Sequence, residues 1–311
     1  MDEKEIDKIM ENYPHVKSYV EKITEKIGKP QFYRKISKEL EQEKTPNIIY
    51  PTKDPVYIHI YRTEDMQDRI YKSIEPTLEK ETLQKYNKLL RSILEKIPEK
   101  KSVVTDSQLK TTFNDLAEEL IQVSNSNVKN KIKNNFFSKK SKYINVTPYE
   151  KESMIYTLIK DQIGGGPLEP FMRDPYLEDI HIITGEPIHT VHKIFGMIKT
   201  NIRLNEEEGF IFTRKLSEKM GAPVSEGQAI VDGVMPDGSR GNIIYPKSVS
   251  MKGPSITIRK FSETPISITQ LINWGTLSSD IGAYLWLALQ YGRSFFVCGE
   301  TASGKTTTTN A

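Results

Sequence analysis

The stretch Gly299-Glu-Thr-Ala-Ser-Gly-Lys-Thr-Thr-Thr-Thr-Asn-Ala311 decides how the rest of the chain is read. It matches the pattern G-x-x-x-x-G-K-[ST] at Gly299, Gly304, Lys305 and Thr306. Each residue type has a physical role. Glycines permit unusual dihedrals, so successive backbone N–H groups can turn inward around a phosphate. A helix opening at the loop points its positive end at the same anion. The lysine reaches the β- and γ-phosphates, and the Thr306 hydroxyl is placed to ligate Mg²⁺. The predicted cradle for ATP and Mg²⁺ is therefore Gly299, Glu300, Thr301, Ala302, Ser303, Gly304, Lys305, Thr306 and Thr307, with Thr306 on the metal.

The residues before the loop strengthen this reading. Arg293-Ser-Phe-Phe-Val-Cys298 is a short apolar run bounded by turn residues, as a buried parallel strand would be. It follows a helix predicted to be capped by Ser279, to carry Ile281, Tyr284, Leu285, Ala288 and Tyr291, and to close at Gly292. Helix, strand, loop and a new helix make the opening of an α/β nucleotide-binding domain. Cys298 is expected to be a small apolar strand residue rather than a redox group. As the chain's one cysteine it excludes an internal disulfide framework and fits a reducing cytoplasm.

Bulk properties set the frame. The 311 residues suffice for two or three domains. Hydrophobic residues make up 37% and charged residues 27%, with 44 basic against 41 acidic and a net charge of +3. That balance argues against nucleic acid as the main partner. The charged start MDEKEIDKIMENY has no apolar core of a signal peptide. No apolar run approaches the roughly 18 residues that span a bilayer, so membrane association is expected only through partners.

Upstream, Val56-Tyr-Ile-His-Ile-Tyr61 reads as a strand. Apolar residues from Leu83 to Ile97 recur at helical spacing, and a second helix is expected after an Asp106 cap. The run NSNVKNKIKNNFFSKKSK over residues 125–142 lacks an amphipathic period. It reads as a basic connector, with contact to acidic lipid or nucleic acid as the functional alternative. Thr147-Pro-Tyr-Glu150 opens a helix with a capping box, and Asn205 with Glu208 opens another that Gly221 closes. Strands are expected around 180–183, 189–195, 231–245 and 255–259. His181, His189 and His192 form H-x7-H-x2-H, which matches no compact zinc pattern, so they are expected to be ordinary strand residues. Arg240, in a Pro-Asp-Gly-Ser turn, and Arg259, sharing a strand face with Thr257, are equally open to phosphoryl-charge stabilisation or to surface ion pairs.

Several segments together resemble the type II/type IV secretion ATPase family, including pilus-assembly and archaellum motor ATPases. They are Gly166-Pro-Leu-Glu-Pro-Phe-Met-Arg-Asp-Pro175 with Leu177-Glu-Asp-Ile180, Met235-Pro-Asp-Gly-Ser-Arg240, Ile256-Thr-Ile-Arg-Lys-Phe261, Leu271-Ile-Asn-Trp-Gly275, Ala283-Tyr-Leu-Trp286 and the loop from Gly299. They look most similar to archaeal members, and the resemblance covers roughly half the chain, from about Thr147 onward.

The resemblance implies an α/β architecture. Residues 1–125 would form an N-terminal mixed helical regulatory or interaction domain and 126–146 a basic linker. Residues 147–262 would form a mixed α/β, PAS-like domain, and 263–311 the first strand and helix start of a RecA-like core. It further implies a homo-hexamer that binds ATP and Mg²⁺ between two domains and drives a polytopic membrane platform protein to assemble, rotate or secrete a filament. Lys305, Arg240 and Arg259 would be the catalytic groups, the arginines sometimes reaching a neighbouring subunit's phosphates. Glu300 departs from the small residue expected there and would weaken phosphate affinity unless it faces solvent. The family's acidic box, Walker B segment and histidine box come after the loop, so the 311 residues alone are expected to bind without hydrolysing. A longer ATPase, an intein-interrupted precursor and a truncated interaction module each account for this. A conjugation or helicase-like ATPase on nucleic acid is the competing function.

Overall fold

A computed structural model describes residues 3–97, 106–124, 143–245, 249–261, 267–300 and 303–311. The chain forms two compact units, residues 1–260 and 261–311. The basic run at 125–142 lies outside the described residues.

The first unit is mixed α/β, built on a ten-stranded, mostly antiparallel sheet. Its N-terminal strands are β1 (Gln31–Phe32), β2 (Asn47–Lys53), β3 (Val56–Tyr61) and β4 (Ile70–Ile74). A small parallel pair, β5 (Ile121–Val123) and β6 (Ile144–Val146), stands apart from that sheet. The later strands are β7 (Leu177–Ile183), β8 (Pro187–His192), β9 (Gly196–Arg203), β10 (Ile230–Val234), β11 (Arg240–Ile244) and β12 (Ser255–Arg259). Their order is β1-β2-β3-β4-β9-β8-β7-β12-β11-β10. The seam is the parallel contact of β4 with β9, where Tyr71 lies beside Thr200. One sheet thus runs through strands from both 1–125 and 147–262, across the boundary expected between those segments.

Burial explains why the strands differ in composition. β3 is apolar at almost every position because both faces are covered. Tyr57, with Ile49 and Ile74, packs against Val16 and Val20 of α2 (Pro14–Ile27). Ile58 and Ile60 enter the main core with Tyr50, Tyr71 and Phe171. β7 and β12 instead alternate. Ile180, Ile182, Ile256 and Ile258 point inward, and Leu216 and Met220, from the segment between β9 and β10, join the same core. A separate core unites α3 (Lys80–Lys96), α4 (Asp106–Leu120) and α5 (Pro148–Gln162) through Leu89, Ile93, Leu116, Met154 and Leu158. Asp106 is the first helical residue of α4 rather than its cap.

The predicted capping boxes form. The Thr147 side chain accepts from the Glu150 amide, and Asn205 does the same for Glu208 at the start of α7 (Glu206–Lys219). A five-residue helix, α6 (Glu169–Arg173), ends at a fully buried Asp174. Its carboxylate accepts hydrogen bonds from the Tyr50 hydroxyl at 2.8 Å, the Tyr71 hydroxyl at 2.9 Å and the Tyr176 amide at 2.8 Å. The Lys260 ammonium donates to the backbone oxygens of Phe171, at 2.8 Å, and Asp174.

The second unit holds α8 (Ile268–Asn273), α9 (Ser279–Gln290) and α10 (Lys305–Asn310). Ser278, one residue earlier than expected, caps α9. Gly282 lets α9 close on α8: a Cβ there would sit 3.1 Å from the Ile272 side chain. The apolar residues of α9 lie largely open, with Tyr284 and Trp286 each 71% exposed. Residues 293–298 form no strand, contrary to expectation, and Phe296 is 94% exposed. A strand needs a hydrogen-bonding neighbour, and no described residue of this unit pairs with that run. Cys298 is accordingly exposed, not buried.

Candidate functional site: a phosphate loop and an arginine pair

The loop is shaped by its glycines. At Gly304 the chain turns left-handed, with φ 85°, and α10 begins at the next residue. This dihedral is open to glycine at little cost and to other residues only with strain. A Cβ on Gly299 would lie 2.4 Å from Ser303 Oγ, so a larger residue at this corner would force Ser303 to move. The Ser303 amide donates to the Glu300 carbonyl at 3.2 Å and tightens the turn.

Lys305 lies inside this turn. Its ammonium donates to the carbonyl oxygens of Gly299 at 2.9 Å and Glu300 at 2.5 Å. The charge is thereby held at the mouth of the loop, where a phosphate oxygen would exchange with those carbonyls as its partner. Glu300 itself is exposed, which removes the objection that its carboxylate would crowd the anion. Thr301, Ala302 and the Thr306 side chain lie outside the described residues. The described part of the loop fits a nucleotide polyphosphate: a sharp glycine corner, a left-handed entry to a helix and a lysine directed inward.

Arg240 and Arg259 belong to the first unit, and strand register brings them together. Arg240 of β11 lies directly opposite Arg259 of β12, which in turn lies opposite Asp179 of β7. The Arg259 Nε donates to Asp179 Oδ1 at 3.0 Å, and that carboxylate strengthens the hold of Arg259 on its proton. Arg259 is paired with Asp179, while Arg240 is exposed one strand further along the sheet. Asp179 was legible only as part of a motif; the strand alternation that puts Thr257 and Arg259 outward also puts Asp179 outward, and that is the signal for it.

The three histidines do not converge. His181 and His189 are cross-strand neighbours. His192 is buried, with Nδ1 accepting from the Ile194 amide at 3.0 Å and the Phe195 amide at 3.3 Å. Burial holds its pKa down at about 3, so the ring is neutral. No cluster of three metal-ligating side chains occurs among the described residues. No helix among them is long and apolar enough to cross a membrane.

No family model matches the chain. It is 46% identical over 314 aligned residues to the uncharacterized protein MJ0900 of the archaeon Methanocaldococcus jannaschii, an alignment covering all of this chain and 57% of that protein. It is 31% identical over 182 residues to the uncharacterized protein MJ1288 of the same organism, covering 58% of this chain and 65% of that one. The chain therefore spans little more than half the length of the first of these relatives. Among solved structures it is similar to the VirB11 ATPase of the Brucella suis type IV secretion system, crystallised with sulphate. That match has TM-score 0.33 and 21% identity, over 46% of this chain and 49% of that one. It is also similar to the ATPase DotB of Legionella pneumophila, with TM-score 0.30 and 22% identity, over 47% of this chain and 39% of that one. Superpositions at that level do not establish a shared fold.

Proposed function

We propose that the chain is the ATP-binding portion of a secretion, pilus or archaellum motor ATPase. The observation that carries this reading is the loop: Gly299 and Gly304 at positions where a side chain would clash or strain, and Lys305 pointing into the turn between them. The sequence motifs shared with secretion ATPases from Gly166 onward support it. In this reading Gly299 to Thr307 cradle the phosphates, Lys305 neutralises charge on the β- and γ-phosphates, and Thr306 holds Mg²⁺. The metal supplies Lewis-acid polarisation of the phosphate oxygens.

Arg240 and Arg259 are proposed as the further cations that meet phosphoryl charge. The motor is proposed to work as a homo-hexamer in the cytoplasm, peripheral to the membrane through a platform protein. The domain division at 125, 146 and 262 belongs to the same proposal. The nearly even charge of the chain disfavours the nucleic-acid alternative.

The test is equilibrium binding of a fluorescent ATP analogue with Mg²⁺ to the 311-residue chain. Saturable binding that Lys305→Ala weakens at least tenfold is expected. Equal affinity in the variant, or salt-sensitive binding of duplex DNA that outcompetes ATP, would overturn the reading.

A further inference from the structure

Arg259 closes the ladder of β12. It is the last residue of that strand, and the pairings with β7 and β11 both end on it, opposite Asp179 and Arg240. Local opening costs least at the ends of elements. Whatever holds this strand end therefore sets where the Arg259 guanidinium is presented.

Lys260 holds it at two points. Its amide donates to the Glu178 carbonyl at 2.8 Å, one step past the last paired residues. Side chains alternate along a strand, so Lys260 turns away from the exposed face that carries Arg259 and follows Ile258 towards the core. There its ammonium donates to the carbonyl oxygens of Phe171, at 2.8 Å, and Asp174, at the C-terminal end of α6. The closing carbonyls of a helix carry partial negative charge and take donors from outside, which suits a cation.

The anchor is withdrawn from water rather than draped over the surface. Burial lowers the Lys260 pKa to about 8, against the opposing pull of the Asp174 charge. Asp174 is itself fully buried and fixed by the hydroxyls of Tyr50 and Tyr71. The end of β12 is thus tied, through one side chain, to the most rigidly bonded polar group of the first unit.

We propose that Lys260 is the positioning residue for Arg259: by tying the end of β12 to the C-terminal carbonyls of α6, it holds the guanidinium at the place where phosphoryl charge would meet it. The ligand in this proposal rests on the nucleotide-binding reading above; the anchoring does not.

Two measurements on the 311-residue chain separate these parts. The first is the exchange rate of the Arg259 Nε–H with water, from its ¹H–¹⁵N cross-peak, identified by its loss in Arg259→Gln. The bond to Asp179 should slow this exchange in the wild type. Lys260→Met should accelerate it at least threefold at the same pH, and Lys260→Arg, which keeps donors for both carbonyls, should restore it. Lys260→Gln is a second, milder neutral variant; a cooperative thermal melt establishes folding, and either neutral variant alone suffices. The second measurement is the affinity for a fluorescent ATP analogue with Mg²⁺. Lys260→Met should weaken it at least fivefold in the wild-type background and less than twofold in the Arg259→Gln background.

Unchanged exchange in a folded neutral variant would overturn the proposal, as would equal weakening of the nucleotide in both backgrounds. Faster exchange in a chain that binds no nucleotide would sustain the anchor and overturn the nucleotide reading instead.

Discussion

The hydroxyl of Tyr71 donates to Asp174 Oδ2 across 2.9 Å inside the core, joining the central strand β4 to the end of α6. Tyr50 reaches the same oxygen at 2.8 Å, and the Tyr176 amide donates to the other oxygen. Burial drives the Asp174 pKa up, while these three donors and the Lys260 charge oppose that shift. Replacing the carboxylate by a methyl group strands several buried donors at once. A single orphaned donor costs about 1–3 kcal/mol. Asp174→Ala is expected to lower unfolding free energy by about 3 kcal/mol or more, read from the urea midpoint at constant slope. Asp174→Asn, which keeps an acceptor for one or two donors, should lose less. Equal midpoints for Asp174→Ala and wild type would show that the network contributes nothing.

Acid should unfold the first unit before most of its carboxylates titrate. His59 is fully buried, with Nδ1 2.8 Å from the Tyr19 hydroxyl and Nε2 2.8 Å from Asn47 Oδ1. Burial lowers its pKa, and that of His192, from 6.5 to about 3. The unfolded chain takes up a proton near pH 6.5 that the folded chain refuses until about pH 3. Stability is therefore fully present above 6.5 and is lost as pH falls from 6.5 towards 3. At pH 5 each histidine accounts for about 2 kcal/mol, from 1.36 kcal/mol per unit over 1.5 units. Urea midpoints at pH 7.5 and pH 5 should differ accordingly, and His59→Gln should remove about half of the difference. A midpoint independent of pH over this range would contradict the burial of both rings.

Much of the first unit is legible residue by residue. The bounds of β3 follow from an unbroken β-branched and aromatic run, and the Thr147–Glu150 and Asn205–Glu208 boxes from four-residue signatures. These features depend on neighbours in sequence. The pairing of β4 with β9, which places Ile70 beside Lys199, depends on how helices cover the two faces, and no local pattern encodes it. The same holds for the Arg240–Arg259 juxtaposition, fixed by strand register. Residues 293–298 show the converse: their composition suits a buried strand, but a strand exists only where a partner is present. In the candidate site, the glycine and lysine positions of the loop follow from the motif, whereas the folding of Lys305 onto the carbonyls of Gly299 and Glu300 does not.

Gly299 separates loop shape from loop charge. A methyl group there would lie 2.4 Å from Ser303 Oγ and 3.2 Å from its Cβ, so the Ser303 side chain or the turn itself must shift. Gly299 is exposed, and the turn buries little, so Gly299→Ala should change unfolding free energy by less than about 1 kcal/mol. The affinity for a fluorescent ATP analogue should nevertheless fall at least tenfold, because the backbone donors no longer converge. Unchanged affinity would mean that the described loop geometry is not the binding geometry.

The arginine pair should matter little for stability. The Arg259 side chain is 76% exposed in its bridge to Asp179, and exposed pairs contribute about 0.2–1 kcal/mol. Arg259→Gln and Asp179→Asn are each expected to shift the urea midpoint only slightly, and the double variant should show coupling below about 1 kcal/mol. In the proposed role, Arg259→Gln should instead weaken the ATP analogue while Asp179→Asn leaves it unchanged or tightens it. A large stability loss with unaltered nucleotide affinity would make the pair structural.

The two tryptophans report directly on the second unit. Trp274 is 56% exposed and Trp286 is 71% exposed, on adjoining helical segments whose apolar side chains lie largely open. An exposed indole emits at long wavelength and meets soluble quenchers freely; a buried one does neither. The 311-residue chain at low concentration should therefore show strong iodide quenching of both residues. The Trp286→Phe variant isolates the response of Trp274. Weak quenching of Trp286 in the dilute chain would show that its face is already covered.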